Sequence, residues 1–192
     1  GNYDVTFNTS TTADIAKLAI TGAITADGKT YDGNVQAVTH GGLNGVLSGD
    51  DLTVAGSGQF SDKNAGTGKT VNVSGVVAGA DAGNYDVTFN GTTTADIAKL
   101  AINGVITADG KTYDGDRTAV THGSLVGVLT GDDLTVAATN GSFTDKNAGT
   151  GKTVHVGGAV AGADAGNYDV TFNTSTTADI AKRAINGVIT AD

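Results

Sequence analysis

The chain of 192 residues contains no glutamate, proline, cysteine, methionine or tryptophan. Without cysteine there is no thiolate for zinc and no disulfide framework; the lack of cysteine fits a chain that tolerates oxidising surroundings. Without cysteine there is no Cys/His pair, no Ser/His/Asp set is recognisable around the three histidines, and no glutamate is present, so catalysis is not expected. Aromatics are limited to five Tyr and five Phe, which predicts a thin core and modest stability per folding unit. No run of 18 apolar residues is present to span a bilayer. Positive charge is also scarce: 11 Lys and Arg against 20 Asp give a net charge of −9. That balance argues against nucleic acid and against anionic membrane surfaces.

What is abundant is Gly, 30 of 192, together with Asp, Asn and Thr. This mixture favours turns and strands over long helices. With 39% apolar residues the chain is not a disordered acidic tail.

The strongest signal is repetition. GNYDVTFN stands at Gly1, Gly83 and Gly166, a spacing of 82 and then 83 residues. The extra residue lies in AATNGSF (137–143), which replaces AGSGQF (55–60). The chain therefore holds two full copies of one unit and a 27-residue start of a third. A unit of this length exceeds the common solenoid periods and is large enough for its own core. The expected fold is all-β: tandem small Ig-like β-sandwiches of about 82 residues, as beads on a string. Boundaries placed at the TSTT and GTTT segments, read as linkers, give residues 1–12 as the end strand of a preceding repeat. Repeat units then run over 13–94 and 95–177, and 178–192 is the first strand of a following one. On this reading the chain is a window on a longer array.

Within the second copy, Tyr85, Val87 and Phe89 alternate with Asp86, Thr88 and Asn90, the pattern of a half-buried strand. Residues 95–107 are ambiguous: Ile97, Leu100 and Ala101 would share a helix face, but the β-branched Ile102, Val105 and Ile106 favour strands, with a turn at Asn103-Gly104. Arg183 stands where the other copies have Leu18 and Leu100, so that position lies outside the deep core. Further short strands carry Thr112-Tyr113, Leu125 to Leu129, Leu134 to Val136, Phe143, and Val154 with Val156.

Two segments reading KNAGTGKT, 63–70 and 146–153, resemble the end of a phosphate-binding loop. The first glycine of that motif is missing, since Lys63 occupies its place. The residues that follow alternate as a strand rather than open a helix. A Gly-rich turn between strands is the expectation.

His40 and His122 each stand alone in a Thr-His-Gly turn, and His155 faces away from Val154 and Val156. Too few ligands converge for zinc, so these read as surface histidines. Calcium is the better metal candidate by ligand type: Asp81, Asn84 and Asp86 in DAGNYD, with Asp50 and Asp51, or Asp132 and Asp133. None matches a D-x-[DN]-x-[DN]-G loop, and Asp and Asn also cap turns. Lys63, Asn64 and Asp62 supply the residue types of a self-formed Lys–Asn cross-link, but sequence neighbours cannot easily meet across a core. Glycosylation triplets begin at Asn8, Asn72, Asn90, Asn140 and Asn173, as expected by chance in so Asn- and Thr-rich a chain. No catalytic, cofactor-binding or metal residue is assigned.

In order along each copy stand TYDG (30–33 and 112–115), GDDLTV, DKNAGTGKTV and GADAGNYDVT. This combination resembles the YDG-type repeat, related to MBG repeats, of very large bacterial surface and biofilm-matrix adhesins of the filamentous-haemagglutinin type. The resemblance covers essentially the whole chain. One departure is that Ile15-Ala16-Lys17 and Ile97-Ala98-Lys99 stand where the family commonly has Ile-Thr-Pro-Lys. The resemblance implies an extracellular, non-enzymatic stalk with no cofactor, whose partners are neighbouring identical repeats and possible extracellular polysaccharide or other cells. It implies structural roles for Tyr31, Asp32 and Gly33: a turn with an aromatic anchor. Two alternatives stay open. One is a fibre in which an end strand such as GNYDVTFN completes the sheet of the next chain. The other is a carbohydrate- or ice-binding module using exposed Thr, itself an ordinary solvent-face strand residue.

Overall fold

The computed structural model of the chain describes residues 1–138 and 141–191. The molecule is all-β: 53% of residues lie in strands, and among the described residues none is in an α-helix. Among the described residues no helix is long and apolar enough to cross a membrane. The chain divides into two compact units. The first comprises Gly1–Asp27, Gln36–Ser61 and Thr70–Ala95; the second comprises Gly28–Val35, Asp62–Lys69 and Asp96–Asp192. Two short segments in the first copy of the repeat, those carrying TYDG and DKNAG, thus belong to the second unit.

In the first unit the strand Leu18–Ala26 runs antiparallel to Thr39–Asn44 and parallel to Tyr85–Phe89. Strand Thr53–Phe60 pairs antiparallel with Val71 to Ala78 and, at its end, with Gln36–Ala37. The second unit repeats the plan. Leu100–Ala108 lies antiparallel to Thr121–Val126 and parallel to Tyr168–Phe172. A five-stranded sheet takes Lys111–Thr112, Ser175–Ala181, Gly149–His155, Gly141–Phe143 and Thr118–Ala119 in that order, and Thr135–Ala138 pairs with Gly158–Ala161. The sheets are thus mixed, where an Ig-like sandwich would be antiparallel throughout. Parallel pairing arises because the last strand of a copy returns beside its first, with the rest of the copy serving as the crossover.

Alternation places the core. Tyr85 is buried with Val87 and Phe89 half-buried, while Asp86 and Thr88 are exposed. Ile20, Ile24, Phe60, Val71 and Val73 fill the first unit; Ile102, Ile106, Phe143, Val154 and Ile180 fill the second. Leu18 and Arg183 are exposed, as the Leu/Arg exchange implies.

Three local expectations are corrected. The GTTT segment is not a linker: Thr92 begins the strand Thr92–Ala98. His40 and His122 lie within strands, not turns, and each imidazole meets an Asp carboxylate, Asp27 at 2.8 Å and Asp109 at 2.9 Å. Asn103-Gly104 is not a turn but the middle of strand Leu100–Ala108. Gly104 is there because the Phe172 ring lies against its backbone: a Cβ would sit 2.1 Å from a ring carbon. Gly22 makes the same room for Phe89.

The last residue of GNYDVTFN has a role that alternation alone does not reveal. The Asn90 side chain accepts from the Ile24 N–H at 2.7 Å and donates to the Ile24 carbonyl at 2.9 Å. Asn173 does the same with Ile106. Each amide side chain extends the parallel ladder by one residue, and both Nδ2 hydrogens are used, so a glycan on either Asn would displace one of the bonds it donates. Asn8 and Asn72 are exposed, and Asn140 lies outside the described residues.

Gly104→Ala is expected to destabilise the second unit by about 1–3 kcal/mol through overpacking against Phe172. Gly166→Ala, with nothing near its Cβ position, should shift stability by less than about 0.5 kcal/mol. Urea denaturation of both variants checks the difference.

Candidate functional site

Two turns project side chains within the second unit. In TYDG, Asp32 accepts from the Asn34 N–H at 3.1 Å and from Lys29 Nζ at 2.7 Å, and Gly33 takes φ +78°. The Tyr31 N–H donates to the Ala98 carbonyl, which fixes the residue as the strand ends. In DKNAG, Asp62 accepts from the Asn64 N–H at 2.8 Å and from Lys69 Nζ at 2.7 Å. Both are turns closed by an Asp on its own backbone, and they leave Tyr31 and Lys63 facing outward from the loop.

The surface they meet is built from GDD (131–133) and DAGNY (164–168). The Asp133 N–H donates to the Asp164 carboxylate at 3.0 Å, and the Asp164 N–H donates back to the Asp133 carbonyl at 3.2 Å. Gly162, at φ +120°, sits so close to the Asp133 carbonyl that a Cβ would be 2.2 Å from it. A single 3-10 turn over Ala165–Asn167 then presents Asn167 and Tyr168.

Asp132 is the centre of the contact. Its Oδ2 accepts from the Tyr31 hydroxyl at 2.8 Å and from the Tyr168 hydroxyl at 2.7 Å; its Oδ1 accepts from Lys63 Nζ at 2.9 Å. Lys63 also reaches Asp164 at 3.0 Å. The Tyr168 oxygen accepts in turn from the Leu129 N–H. The two rings meet edge to face with centroids 5.6 Å apart, and Lys63 lies 5.8 Å from the Tyr31 ring centre. Beside them, buried Asn167 accepts from the Ala65 N–H at 2.9 Å and donates to the Asn64 side-chain oxygen at 3.2 Å.

The ionisation states follow. Burial by itself would raise the Asp132 carboxyl, but donation from Tyr168, Lys63 and Tyr31 outweighs it, and the group is held below the usual carboxylate range. Hydrogen bonding to Asp132, Tyr31 and Asp164 pushes the Lys63 ammonium up. Burial, reinforced by Asp132, pushes the Tyr168 hydroxyl up to about 12, and burial also raises Tyr31. Forming an amide between Lys63 and an acyl group would need a neutral amine, and Lys63 is held charged. Its Nζ meets carboxylates, not the Asn64 amide, so the geometry makes an ion pair rather than the Lys–Asn cross-link.

The structure thus brings together residues that the sequence suggested separately: Tyr31 as anchor, Lys63 from the apparent phosphate loop, and Asp132 as a calcium ligand. Asp32 and Gly33 form the turn, as the resemblance implies. After Lys63 the chain enters the strand Gly66–Ala78, not a helix. Asp51, Asp81 and Asp133 accept from backbone N–H groups of the loop facing each, about 30 residues away in sequence, and Asp86 is exposed. Among the described residues no three His, Cys, Asp or Glu side chains are grouped to hold a metal ion. Asn167 had no sequence signal beyond its place in GNYD, which alternation cannot distinguish from a turn residue.

Tyr31→Phe should cost about 1 kcal/mol, and Asp132→Ala more than Asp50→Ala, because Asp132 serves three donors. Asp132 has a lowered carboxyl in the folded state, so its contribution is complete above about pH 4 and fades as pH falls through the folded value. Tyr168 is raised, so its contribution is complete below about pH 10 and fades as pH rises towards 12. Urea denaturation across pH should show both limbs, with the alkaline one diminished in Tyr168→Phe. The melting temperature should not differ between excess calcium and a chelator; a rise of several degrees with calcium would overturn the structural reading of the Asp pairs.

The model of the YDG domain family matches residues 11–95 and again residues 97–178. The chain matches no curated protein and no solved structure.

Proposed function

Taking as premise that the chain belongs to the YDG domain family, we propose that it is a non-enzymatic structural segment of a secreted bacterial surface adhesin. In this reading tandem copies form a stalk or filament that carries a binding region or scaffolds biofilm matrix. The observation that supports it best is the cluster around Asp132, where side chains from both YDG matches meet. A chain built to bind a small molecule would spend its polar groups on a pocket. Here the Asp132 carboxylate, 5% exposed, is occupied by Tyr31, Lys63 and Tyr168. Every successive copy brings the same parts, so lengthening the array adds copies of one joint. The acidic surface keeps such an array hydrated and discourages collapse. Its partners are neighbouring repeats and, at the cell surface, polysaccharide or other cells.

A carbohydrate-binding role has one feature in its favour: an open depression of about 330 Å³ in the first unit lined by Gln36, Ser57, Gln59, Asn72 and Ser74. Pulling single molecules of the chain separates the readings. A stalk segment should unfold in discrete steps, each corresponding to about 280 Å of contour from about 82 residues at ~3.4 Å each. Extension without steps, together with retention on a defined glycan in an array, would replace the stalk by a binding module.

A further inference from the structure

The joint around Asp132 has two halves, and each occurs a second time without its counterpart. The acceptor half recurs in the first unit. The Tyr85 hydroxyl donates to Asp50 at 2.6 Å and accepts from the Leu47 N–H at 3.0 Å. The Asp51 N–H donates to the Asp81 carboxylate at 2.9 Å, and a 3-10 turn over Ala82–Asn84 follows. These are the bonds made by Tyr168, Asp132, Leu129, Asp133 and Asp164 in the second unit. The donor half recurs at Tyr113 and Lys146. Lys111 Nζ reaches Asp114 and Asp116, and Asp145 accepts from the Asn147 N–H at 2.8 Å and from Lys152 at 2.7 Å. Both loops therefore hold the shape seen in the completed joint.

The mating groups differ in exposure between the filled and unfilled copies. Asn167 is 3% exposed, whereas Asn84 is exposed. Tyr31 is 2% exposed, whereas Tyr113 is half-buried. Leu129 is half-buried, whereas Leu47 is 59% exposed. Lys63 lies between two carboxylates; among the described residues Lys146 has no ion pair, and Asp50 and Asp81 meet no cation. The sequences of the mating parts are the same: KNAGTGKT in both loops, GDDLTV and GADAGNYDV in both acceptor surfaces.

We propose that separate copies of this chain associate head to tail through this joint. Tyr113, Lys146 and Asn147 of one copy dock on Asp50, Asp81, Asn84 and Tyr85 of the next. Charge is complementary, one ammonium against two carboxylates, and the internal joint shows the same groups satisfied. The interface is heterologous, so it leaves a free donor half and a free acceptor half after each addition and has no built-in stop. Within one chain the joint gains from a millimolar effective concentration; between chains it must form without that help and is correspondingly weak. The proposal does not depend on the adhesin reading, since it requires only the joint.

The test is sedimentation equilibrium of the whole chain from about 10 μM to 1 mM. The wild type should show an average mass that climbs with concentration beyond a dimer. Lys146→Asp disables the donor half and Asn84→Arg disables the acceptor half; both positions are exposed, and circular dichroism should show both variants folded. Each variant alone should stay at the single-chain mass. An equimolar mixture should form a dimer and nothing larger, because Asn84→Arg keeps its donor half and Lys146→Asp keeps its acceptor half. A wild type that stays at the single-chain mass at about 1 mM would overturn the proposal. So would growth that neither variant stops, which would assign association to the exposed apolar residues near the termini, Tyr3, Phe7, Ile185 and Ile189. A mixture of folded variants that forms no dimer would overturn it as well.

Discussion

A carboxylate at 5% side-chain exposure must be given donors or the fold is penalised for its burial, and Asp132 sets that condition for everything around it. Three donors satisfy it, and two of them lie 101 and 69 residues away in sequence. Local structure alone supplies only the third, Tyr168. The comparison with Asp50 shows what this means. Asp50 makes the same local bond to Tyr85 but remains half-exposed, so water can serve it and it requires nothing more. Burying Asp132 under the TYDG and DKNAG loops makes the arrival of Tyr31 and Lys63 obligatory. The net gain from such a site is small beside its selectivity, because a register that misplaces Lys63 leaves buried charge without a partner.

The loops themselves explain how donors can be aimed so far from their own strands. Asp32 and Asp62 are consumed in closing turns and in holding Lys29 and Lys69. Each turn is therefore shaped before Tyr31 or Lys63 engages anything. Little is ordered on contact beyond the Lys63 side chain, which limits the entropy lost when the joint forms. A chain with few aromatics thus uses Tyr twice over, as core in Tyr168 and as anchor in Tyr31, each ring packed edge to face on the other.

The fold was legible where period-two alternation and repetition spoke for it. Tyr85, Val87 and Phe89 face inward as the pattern requires, and the two copies adopt one plan. It was misread where local turn chemistry conflicted with a distant partner. Asn103-Gly104 has the composition of a turn, but the Phe172 ring needs a residue without a Cβ in the middle of a strand. The Thr-rich GTTT has no apolar residue to mark it as a strand, yet its backbone is paired. The site was legible only in pieces. Lys63 looked like part of a phosphate loop, Asp132 like part of an ion site and Tyr31 like an anchor, because each stands in a turn whose chemistry explains it locally. What joins them is separation in sequence, which composition and spacing do not encode. The usable signal was that both copies retain Lys at 63 and 146 inside a turn whose closure needs only Asp and Asn.

Dividing the joint into halves has a structural consequence. A copy of the repeat carries donor loops and an acceptor surface at different positions: its own Tyr serves its Asp, Tyr85 for Asp50 and Tyr168 for Asp132. The further donors of Asp132, Tyr31 and Lys63, come from loops of the other copy, so the bonds run in one direction. A change at Lys63 leaves its own turn closed by Asp62 and is felt at the junction, whereas a change at Asp132 also removes the partner of Tyr168 within its own copy. The same sequence that folds each unit therefore also carries a polarity, and it is this polarity, not any pocket, that the buried charge specifies.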